Sequence, residues 1–145
     1  MIALRPFLAS DQAAAKALVQ AGLGEHWGWV DQTLNPDLND IAASYRDGVF
    51  LIAEHEAEIV ATGAYLPVGP GVVQIVRMSV RADCRRLGLG RRMLASLQER
   101  ARAAGSTCAV LETTKSWHEV TAFYVANGFA ITHQVDDDMW FACEL

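Results

Sequence analysis

The stretch of sequence that decides the fold is Arg85-Arg86-Leu87-Gly88-Leu89-Gly90-Arg91, which follows an apolar, strand-like run at 72–80. The residues after it repeat apolar side chains at helical spacing, which predicts an amphipathic helix with one buried face: Leu89, Met93, Leu94, Leu97 and Ala101. Gly105 is a predicted C-cap for this helix. A glycine-rich turn that opens a helix presents unpaired backbone N–H groups at the positive end of the helix dipole, and such a turn binds phosphate.

Charge and backbone freedom at this turn favour the same kind of ligand. Gly88 and Gly90 let a phosphate approach the main chain with no Cβ in the way. A P-loop would end in Gly-Lys-Ser/Thr, and a dinucleotide fingerprint would need a small residue where Met93 stands, so neither fits. The pattern that remains is Arg-x-x-Gly-x-Gly. Four arginines add full positive charge at the turn: Arg85, Arg86, Arg91 and Arg92.

The Arg-x-x-Gly-x-Gly pattern resembles the coenzyme A pyrophosphate loop of the acetyl-CoA-dependent N-acetyltransferases, the GNAT superfamily. Two more stretches match that superfamily in the expected order. Residues 77–80, Arg-Met-Ser-Val, resemble its fourth strand. Residues 122–129, Ala-Phe-Tyr-Val-Ala-Asn-Gly-Phe, resemble its second signature, a helix that carries a tyrosine and ends in Gly-Phe. The resemblance covers nearly the whole chain, and the joint match is much more specific than any single motif.

Composition places these motifs in one ordinary globular domain. The chain has 145 residues, 52% hydrophobic and 20% charged, so we expect a single domain over 1–145. The net charge of −5 argues against a nucleic-acid partner, because nucleic-acid phosphates require a basic surface. The uncharged stretch at 59–76 is interrupted by glycines and prolines, which predicts two strands and no membrane span. Three scattered cysteines predict no disulfide framework and no metal site, and they fit a reduced, cytoplasmic protein: Cys84, Cys108 and Cys143.

The order of the predicted elements indicates an α+β fold. Strands are predicted at 2–4, 49–53, 59–66, 72–80, 107–113, 129–134 and 139–143. Helices are predicted at 12–20, 38–46 and 119–126, in addition to the helix after the phosphate loop, while 22–38 is irregular or partly helical. The unit from 72 to 113 is βαβ, so its two strands should be parallel, and the meander before it antiparallel. The resemblance implies a seven-stranded mixed sheet, splayed between its fourth and fifth strands and flanked by about four helices.

The resemblance also implies an enzyme that moves acetyl from acetyl-CoA to a primary amine by direct attack in a ternary complex. The amine would belong to a small molecule or a peptide. Main-chain groups of Met78 and Val80 would pair with the pantetheine arm like an added strand, and the N–H of Met78 would face the thioester oxygen. The alternative is a non-catalytic acyl-CoA-binding or regulatory module on the same fold. The pyrophosphate would lie on the loop residues: Arg85, Arg86, Leu87, Gly88, Leu89, Gly90 and Arg91.

Two residues are candidate catalytic groups. Tyr124 matches the general acid of the resembled family, since a phenol with a pKa of about 10 can protonate a leaving thiolate. A buried aromatic with a satisfied hydroxyl is the structural alternative. Glu112 interrupts an apolar strand twelve positions before Tyr124, as does the base of some GNAT members, although a solvated strand carboxylate fits it equally well. His118 and a bound water are the other candidate bases.

The sequence predicts where the acceptor amine should bind, but only at the level of segments. Its pocket should be built from the segment after the first helix and from the last hairpin. An acidic, aromatic pocket would favour a cationic amine. The alternative is that the tryptophans belong to the core and the aspartates form a solvated turn. For the three aspartates we favour this alternative. Trp117 stands where many family members have an asparagine that holds pantetheine. Dimers are common in the family, which leaves a homodimer open. The candidate pocket residues are Glu25, His26, Trp27, Trp29, Asp31, Asp136, Asp137 and Asp138.

Overall fold

Seven strands form one sheet in the computed structural model, which describes residues 2–27 and 35–145 apart from the side chains of His26 and Trp27. The strands are β1 (Ala3–Pro6), β2 (Val49–His55), β3 (Glu58–Gly69), β4 (Val72–Val80), β5 (Cys108–Thr114), β6 (Ala130–Val135) and β7 (Asp138–Glu144). The helices in the same residues are α1 (Gln12–Trp27), α2 (Ile41–Ser44), α3 (Leu89–Ala103) and α4 (His118–Ala126). Short 3-10 turns lie at Ala9–Asp11, Pro36–Asn39 and Ala82–Cys84.

The sheet order is β1-β2-β3-β4-β5-β7-β6, and its pairing confirms the predicted mixed topology. The strands β1 to β4 are antiparallel, as the predicted meander requires. Only the first residues of β4 and β5 pair, in parallel, with 72–74 beside 108–110. Beyond that point β5 continues beside β7 alone, so the sheet is splayed between its fourth and fifth strands as the resemblance implied.

Two apolar layers cover the two faces of the sheet. On one face, α1 and α2 pack on alternate residues of β2 and β3 through a core that includes Val19, Ile41 and Ile52. On the other face, α3 and α4 pack over the full width of the sheet. The predicted buried stripe of α3 is confirmed residue by residue, and Gly105 ends that helix with φ 95°. The fold therefore rests on the helical and strand periodicity that the sequence displays.

The predicted boundaries are wrong mainly near the first helix. The prediction ended this helix at 20, whereas α1 continues to Trp27. Gly22 explains part of the extension, because a Cβ there would stand 2.8 Å from the Ser79 hydroxyl oxygen. The missing side chain lets the helix lie against β4. The helix predicted at 38–46 is shorter in the structure, because a 3-10 turn occupies its first residues and α2 is a single turn. The Asp40 carboxylate caps α2 by accepting a hydrogen bond from the Ala43 N–H.

The bounds of β4 are as predicted, and the ends of the other strands differ from prediction by at most three residues. No helix among the described residues is both long and apolar enough to cross a membrane.

Candidate functional site

The loop between β4 and α3 has the geometry of an anion site. The chain leaves β4 through the 3-10 turn Ala82–Cys84 and enters α3 at Leu89. Gly88 is the N-cap and has φ 76°, a left-handed conformation that favours glycine. Apart from its chain neighbours, no heavy atom of the described residues lies within 4 Å of the position that a Gly88 Cβ would occupy, so nothing in the described structure fills this side of the loop. Because the first-turn N–H groups have no acceptor within the helix, they are available to an anion.

Gly90 serves a different purpose from the one predicted. Its absent Cβ faces the Phe123 ring, at 3.3 and 3.4 Å from two ring carbons, rather than the open side of the loop. The reason predicted for Gly90, that a Cβ there would stand in the way of a phosphate, is therefore wrong. Gly90 lets α3 pack closely on α4, and the open approach to the main chain lies at Gly88.

The predicted arginines divide into two groups. Arg85 is engaged within the protein, since its Nη2 donates to Glu25 Oε2 at 2.6 Å and its Nε donates to the Val80 carbonyl at 3.0 Å. Arg86 and Arg91 are exposed, and within the described part of the chain they form no ion pair. Arg92 is also exposed, and its Nη2 donates to the Ile2 carbonyl at 3.0 Å. Among the described residues, Arg86 and Arg91 are thus the two loop arginines without a hydrogen-bond partner. A guanidinium has five N–H donors, so Arg85 retains donors beyond those two bonds.

The splay leaves the second half of β4 without a strand on the β5 side. Met78 and Val80 lie in this half, and their side chains pack against the core beneath α3. These two side chains are therefore part of the core packing. Their main chain borders the gap in the sheet, which is where an extended ligand arm can add itself as a strand would. The loop at 85–91 follows directly, so the gap and the anion site are continuous along the chain.

Tyr124 lies in an aromatic cluster on α4 and is 7% exposed. Its ring meets Phe123, Phe129 and Phe141 with centroid separations of 5.2, 5.7 and 6.0 Å. Burial raises the pKa of the phenol above its ordinary value of 10. The hydroxyl has no hydrogen-bond partner among residues 2–27 and 35–145. The role of Tyr124 as general acid stays a prediction.

Glu112 lies on the opposite face of β5. Leu111 and Phe141 are paired in register and belong to the core that contains Tyr124, whereas Glu112 is paired with Trp140 on the other face. Glu112 is exposed, as the alternative of a solvated strand carboxylate requires. Partial desolvation raises its pKa, and the negative charge of Asp138 raises it further. The two predicted catalytic residues therefore lie on opposite faces of the sheet.

The face that carries Glu112 also carries an aromatic pair. The Trp140 indole stacks on the His133 imidazole with a centroid separation of 5.8 Å and an interplanar angle of 2°. His118 is the first residue of α4 and is exposed. Sequence reasoning missed Trp140 and His133, because only the β5–β7 and β6–β7 registers place them beside Glu112.

Two threonines near the same elements were also missed by sequence reasoning. The hydroxyl oxygens of Thr113 on β5 and Thr121 on α4 are buried without a hydrogen-bond partner in the described residues. Nothing in the sequence distinguishes these threonines from ordinary strand and helix residues, so no signal could have found them.

The predicted acceptor pocket is only partly described. Trp29 and Asp31 lie outside the described residues, as do the side chains of His26 and Trp27. Glu25 is bound to Arg85 at the end of α1. Asp136 and Asp137 form the exposed β6–β7 turn, where the Asp137 carbonyl accepts from the Lys115 N–H at 2.7 Å, and Asp138, also exposed, begins β7. The favoured alternative, a solvated aspartate turn, agrees with this exposure.

Comparison with known proteins gives a consistent result. The family model described as acetyltransferase (GNAT) family matches residues 13–129. N-acetyltransferase 8F1 of Rattus norvegicus is 32% identical over 119 residues, which are 77% of this chain and 54% of that protein. N-acetyltransferase 8 of Homo sapiens is 29% identical over 120 residues, with coverages of 77% and 53%. The chain spans about half the length of these curated relatives.

Solved structures match the fold over its full length. An acetyltransferase of the GNAT family from Staphylococcus aureus Mu50 has a TM-score of 0.93 at 19% identity, covering 100% of this chain and 99% of that one. PaiA N-acetyltransferase from Thermoplasma acidophilum, solved in complex with coenzyme A, has a TM-score of 0.88 at 14% identity, with the same coverages. At these identities the likeness establishes the fold, and it confirms the predicted architecture.

Proposed function

Since this chain belongs to the acetyltransferase (GNAT) family, we propose that it transfers acetyl from acetyl-CoA to a primary amine by direct attack in a ternary complex. One observation carries the proposal. The gap between β4 and β5 opens directly onto the exposed N-terminus of α3, so an extended thioester arm and a pyrophosphate can be held at the same time.

The residues present fit coenzyme A. Gly88 leaves the main chain open, and the unpaired N–H groups at the start of α3 supply donors for the pyrophosphate. Arg86 and Arg91 supply full charge against a chain of net charge −5. The main chain of Met78 and Val80 borders the gap and receives the pantetheine arm. A loop that bound only phosphate would not need a gap in the sheet beside it, whereas the pantetheine arm of coenzyme A does.

The chemistry requires three proton movements, two away from the nitrogen and one to the sulfur, and one stabilised oxygen. Acetyl-CoA supplies an acyl group that is already activated as a thioester. The amine must lose a proton before its nitrogen can attack, and the raised pKa of Glu112 makes this carboxylate a stronger base than an ordinary one. The Met78 N–H donates to the acyl oxygen as negative charge develops there. The nitrogen–carbon bond forms, the carbon–sulfur bond breaks, and Tyr124 gives its proton to the departing sulfur. The attacking nitrogen then gives up its second proton to the Tyr124 phenolate, which restores the phenol, and Glu112 passes the first proton to solvent.

The placement of the two groups agrees with this division of roles. Tyr124 lies on the α4 face of the sheet and Glu112 on the opposite face. An amine that enters from the Glu112 face and a thiol that leaves on the Tyr124 side would meet in the gap. The Trp140–His133 pair beside Glu112 offers an aromatic wall to the incoming amine. The three free thiols fit a reducing compartment, and we place the protein in the cytoplasm.

A screen of amines tests the proposal. The purified chain is incubated with acetyl-CoA and, separately, with small amines, amino acids, antibiotics and peptides with free N-termini, and released thiol is measured. We expect release that requires one class of amine, together with acetylated product detected by mass spectrometry. Binding of acetyl-CoA without turnover on any amine would instead support a non-catalytic acyl-CoA-binding module. Absence of acetyl-CoA binding would refute both functions.

A further inference from the structure

One residue of β4 departs from the conformation of a strand. Arg77 has φ 56°, in the left-handed region that arginine rarely adopts. The β3–β4 register shifts at this point: Ala64 pairs with Val76 and Thr62 pairs with Ser79, so one residue of β3 faces two of β4. This is a β-bulge, which re-aims the backbone that follows it. The residue that follows is Met78, whose N–H has the proposed role toward the acyl oxygen.

The Arg77 side chain is held by a dense set of hydrogen bonds. Its Nε and Nη2 donate to the two carboxylate oxygens of Asp37 at 2.9 and 2.6 Å, and Nη2 also donates to Asn35 Oδ1 at 3.0 Å. Tyr45 adds a third bond to Asp37, from its hydroxyl at 2.7 Å. The two charged side chains are only 18% and 27% exposed. A bidentate pair of this kind fixes orientation as well as distance.

The main chain of the bulge is held separately. The Thr62 hydroxyl, which is fully buried, donates to the Arg77 carbonyl at 2.8 Å. Both the backbone and the side chain of Arg77 are thus determined by partners. A strained backbone conformation persists only when its surroundings over-determine it, and such sites concentrate where geometry serves function.

We propose that Arg77 is a positioning residue, clamped by Asp37, which fixes the β4 bulge and thereby aims the Met78 main chain into the gap between β4 and β5. This inference rests on the proposed function, because it concerns the acyl oxygen that Met78 would contact. The clamp also ties the bulge to the 3-10 turn Pro36–Asn39, which ends the connection from α1 on the acceptor side. The Arg77–Asp37 ion pair therefore couples the 3-10 turn on the acceptor side to the orientation of the Met78 N–H.

The chain contains a matched control for this clamp. Arg5 binds Glu54 Oε2 through Nε and Nη2 at 2.9 and 2.6 Å, again with partly buried side chains, and also binds both carboxylate oxygens of Asp11. Glu54 lies at a register shift between β2 and β3, on the side of the sheet away from β5. Glu54→Gln therefore removes a partly buried carboxylate from an arginine at another bulge without touching the β4 bulge. If such contacts serve stability alone, neither Asp37→Asn nor Glu54→Gln should change kcat below the unfolding temperature.

The test compares Asp37→Asn, Arg77→Gly and their double variant with Glu54→Gln. Glycine adopts φ 56° without strain, so Arg77→Gly removes the clamp and spares the backbone conformation. We expect kcat of each clamp variant to fall at least tenfold, measured below its unfolding temperature, while the Kd for acetyl-CoA by calorimetry changes less than about threefold. The double variant should lose no more than the worse single variant, because the two residues act as a unit. Glu54→Gln should keep kcat within about twofold.

Amide hydrogen exchange gives a readout that needs no turnover. In the clamp variants the segments 35–41 and 76–80 should exchange faster together, while 51–54 stays protected; in Glu54→Gln the pattern should be reversed. Unchanged kcat in the clamp variants, or exchange at 76–80 that equals wild type, would overturn the proposal. If wild type acetylates no amine, the proposed function fails, and the exchange experiment alone then decides the clamp.

Discussion

Removal of the Tyr124 hydroxyl should separate catalysis from stability. The change Tyr124→Phe deletes one oxygen and retains the ring contacts with Phe123, Phe129 and Phe141. Because the hydroxyl has no hydrogen-bond partner in the described residues, the change removes no hydrogen bond to them. We therefore expect the free energy of unfolding to change by less than about 1 kcal/mol. Loss of a general acid lowers the rate by about 10²–10⁴, equivalent to roughly 2.7–5.5 kcal/mol in the barrier.

The assay follows thiol release at saturating acetyl-CoA and amine, with thermal unfolding of the same samples. Tyr65→Phe is the matched control, since Tyr65 is also buried in the α3-side core, burial also raises the pKa of its phenol, and its hydroxyl also lacks a partner in the described residues. It should keep wild-type turnover. Equal turnover of Tyr124→Phe and wild type, under conditions where a solvent isotope effect shows that proton transfer limits the rate, would refute the role of Tyr124 as the acid.

Three further outcomes are expected. Reversing Arg86 and Arg91 to glutamate should weaken acetyl-CoA binding at least tenfold, about 1.4 kcal/mol, and the loss should shrink as salt rises; calorimetry at two ionic strengths checks it. Glu112→Gln should lower the rate near pH 7 and approach wild type at high pH, where solvent deprotonates more of the amine; superimposable pH–rate profiles would remove Glu112 from the mechanism. Hydrogen bonds from Arg5 lower the pKa of Asp11 below its ordinary 3.8. The ionised Asp11 carboxylate should therefore stabilise the folded state fully above about pH 4, and this contribution should disappear as pH falls through the lowered pKa. Urea unfolding of Asp11→Asn and wild type should therefore converge in acid, and a constant difference would contradict the ion pair.

The parts of the fold that repeat a simple period could be predicted from the sequence. The bounds of β4 were predicted as observed, because 72–80 is apolar and bounded by turn residues. The buried face of α3 follows from spacing alone, since residues three and four apart share a helix face. The local pattern is enough to predict this buried face because one neighbour, the sheet, covers it.

The features that depend on contacts between distant segments were not predictable. Continuation of α1 past Gly22 depends on how closely the helix approaches Ser79 of β4. The left-handed conformation of Arg77 has no signal in the sequence, because arginine does not favour it; Asp37, forty positions away, and Thr62 impose it. Strand alternation puts Glu112 on the face opposite Leu111, whereas its neighbour Trp140 follows only from the pairing of β5 with β7.

Gly90 shows how the anion site depends on the packing behind it. A phosphate-binding helix terminus needs its first-turn N–H groups aimed at one point, and that aim is set by where the helix lies on its neighbours. The absence of a Cβ at Gly90 brings α3 against Phe123, and Phe123 in turn packs edge-on against Tyr124. The helix that would hold the pyrophosphate and the phenol that would protonate the thiol are therefore joined through one aromatic ring. Any side chain at Gly90 would disturb both groups, so charge reversal of the exposed arginines isolates phosphate binding more cleanly than substitution of this glycine.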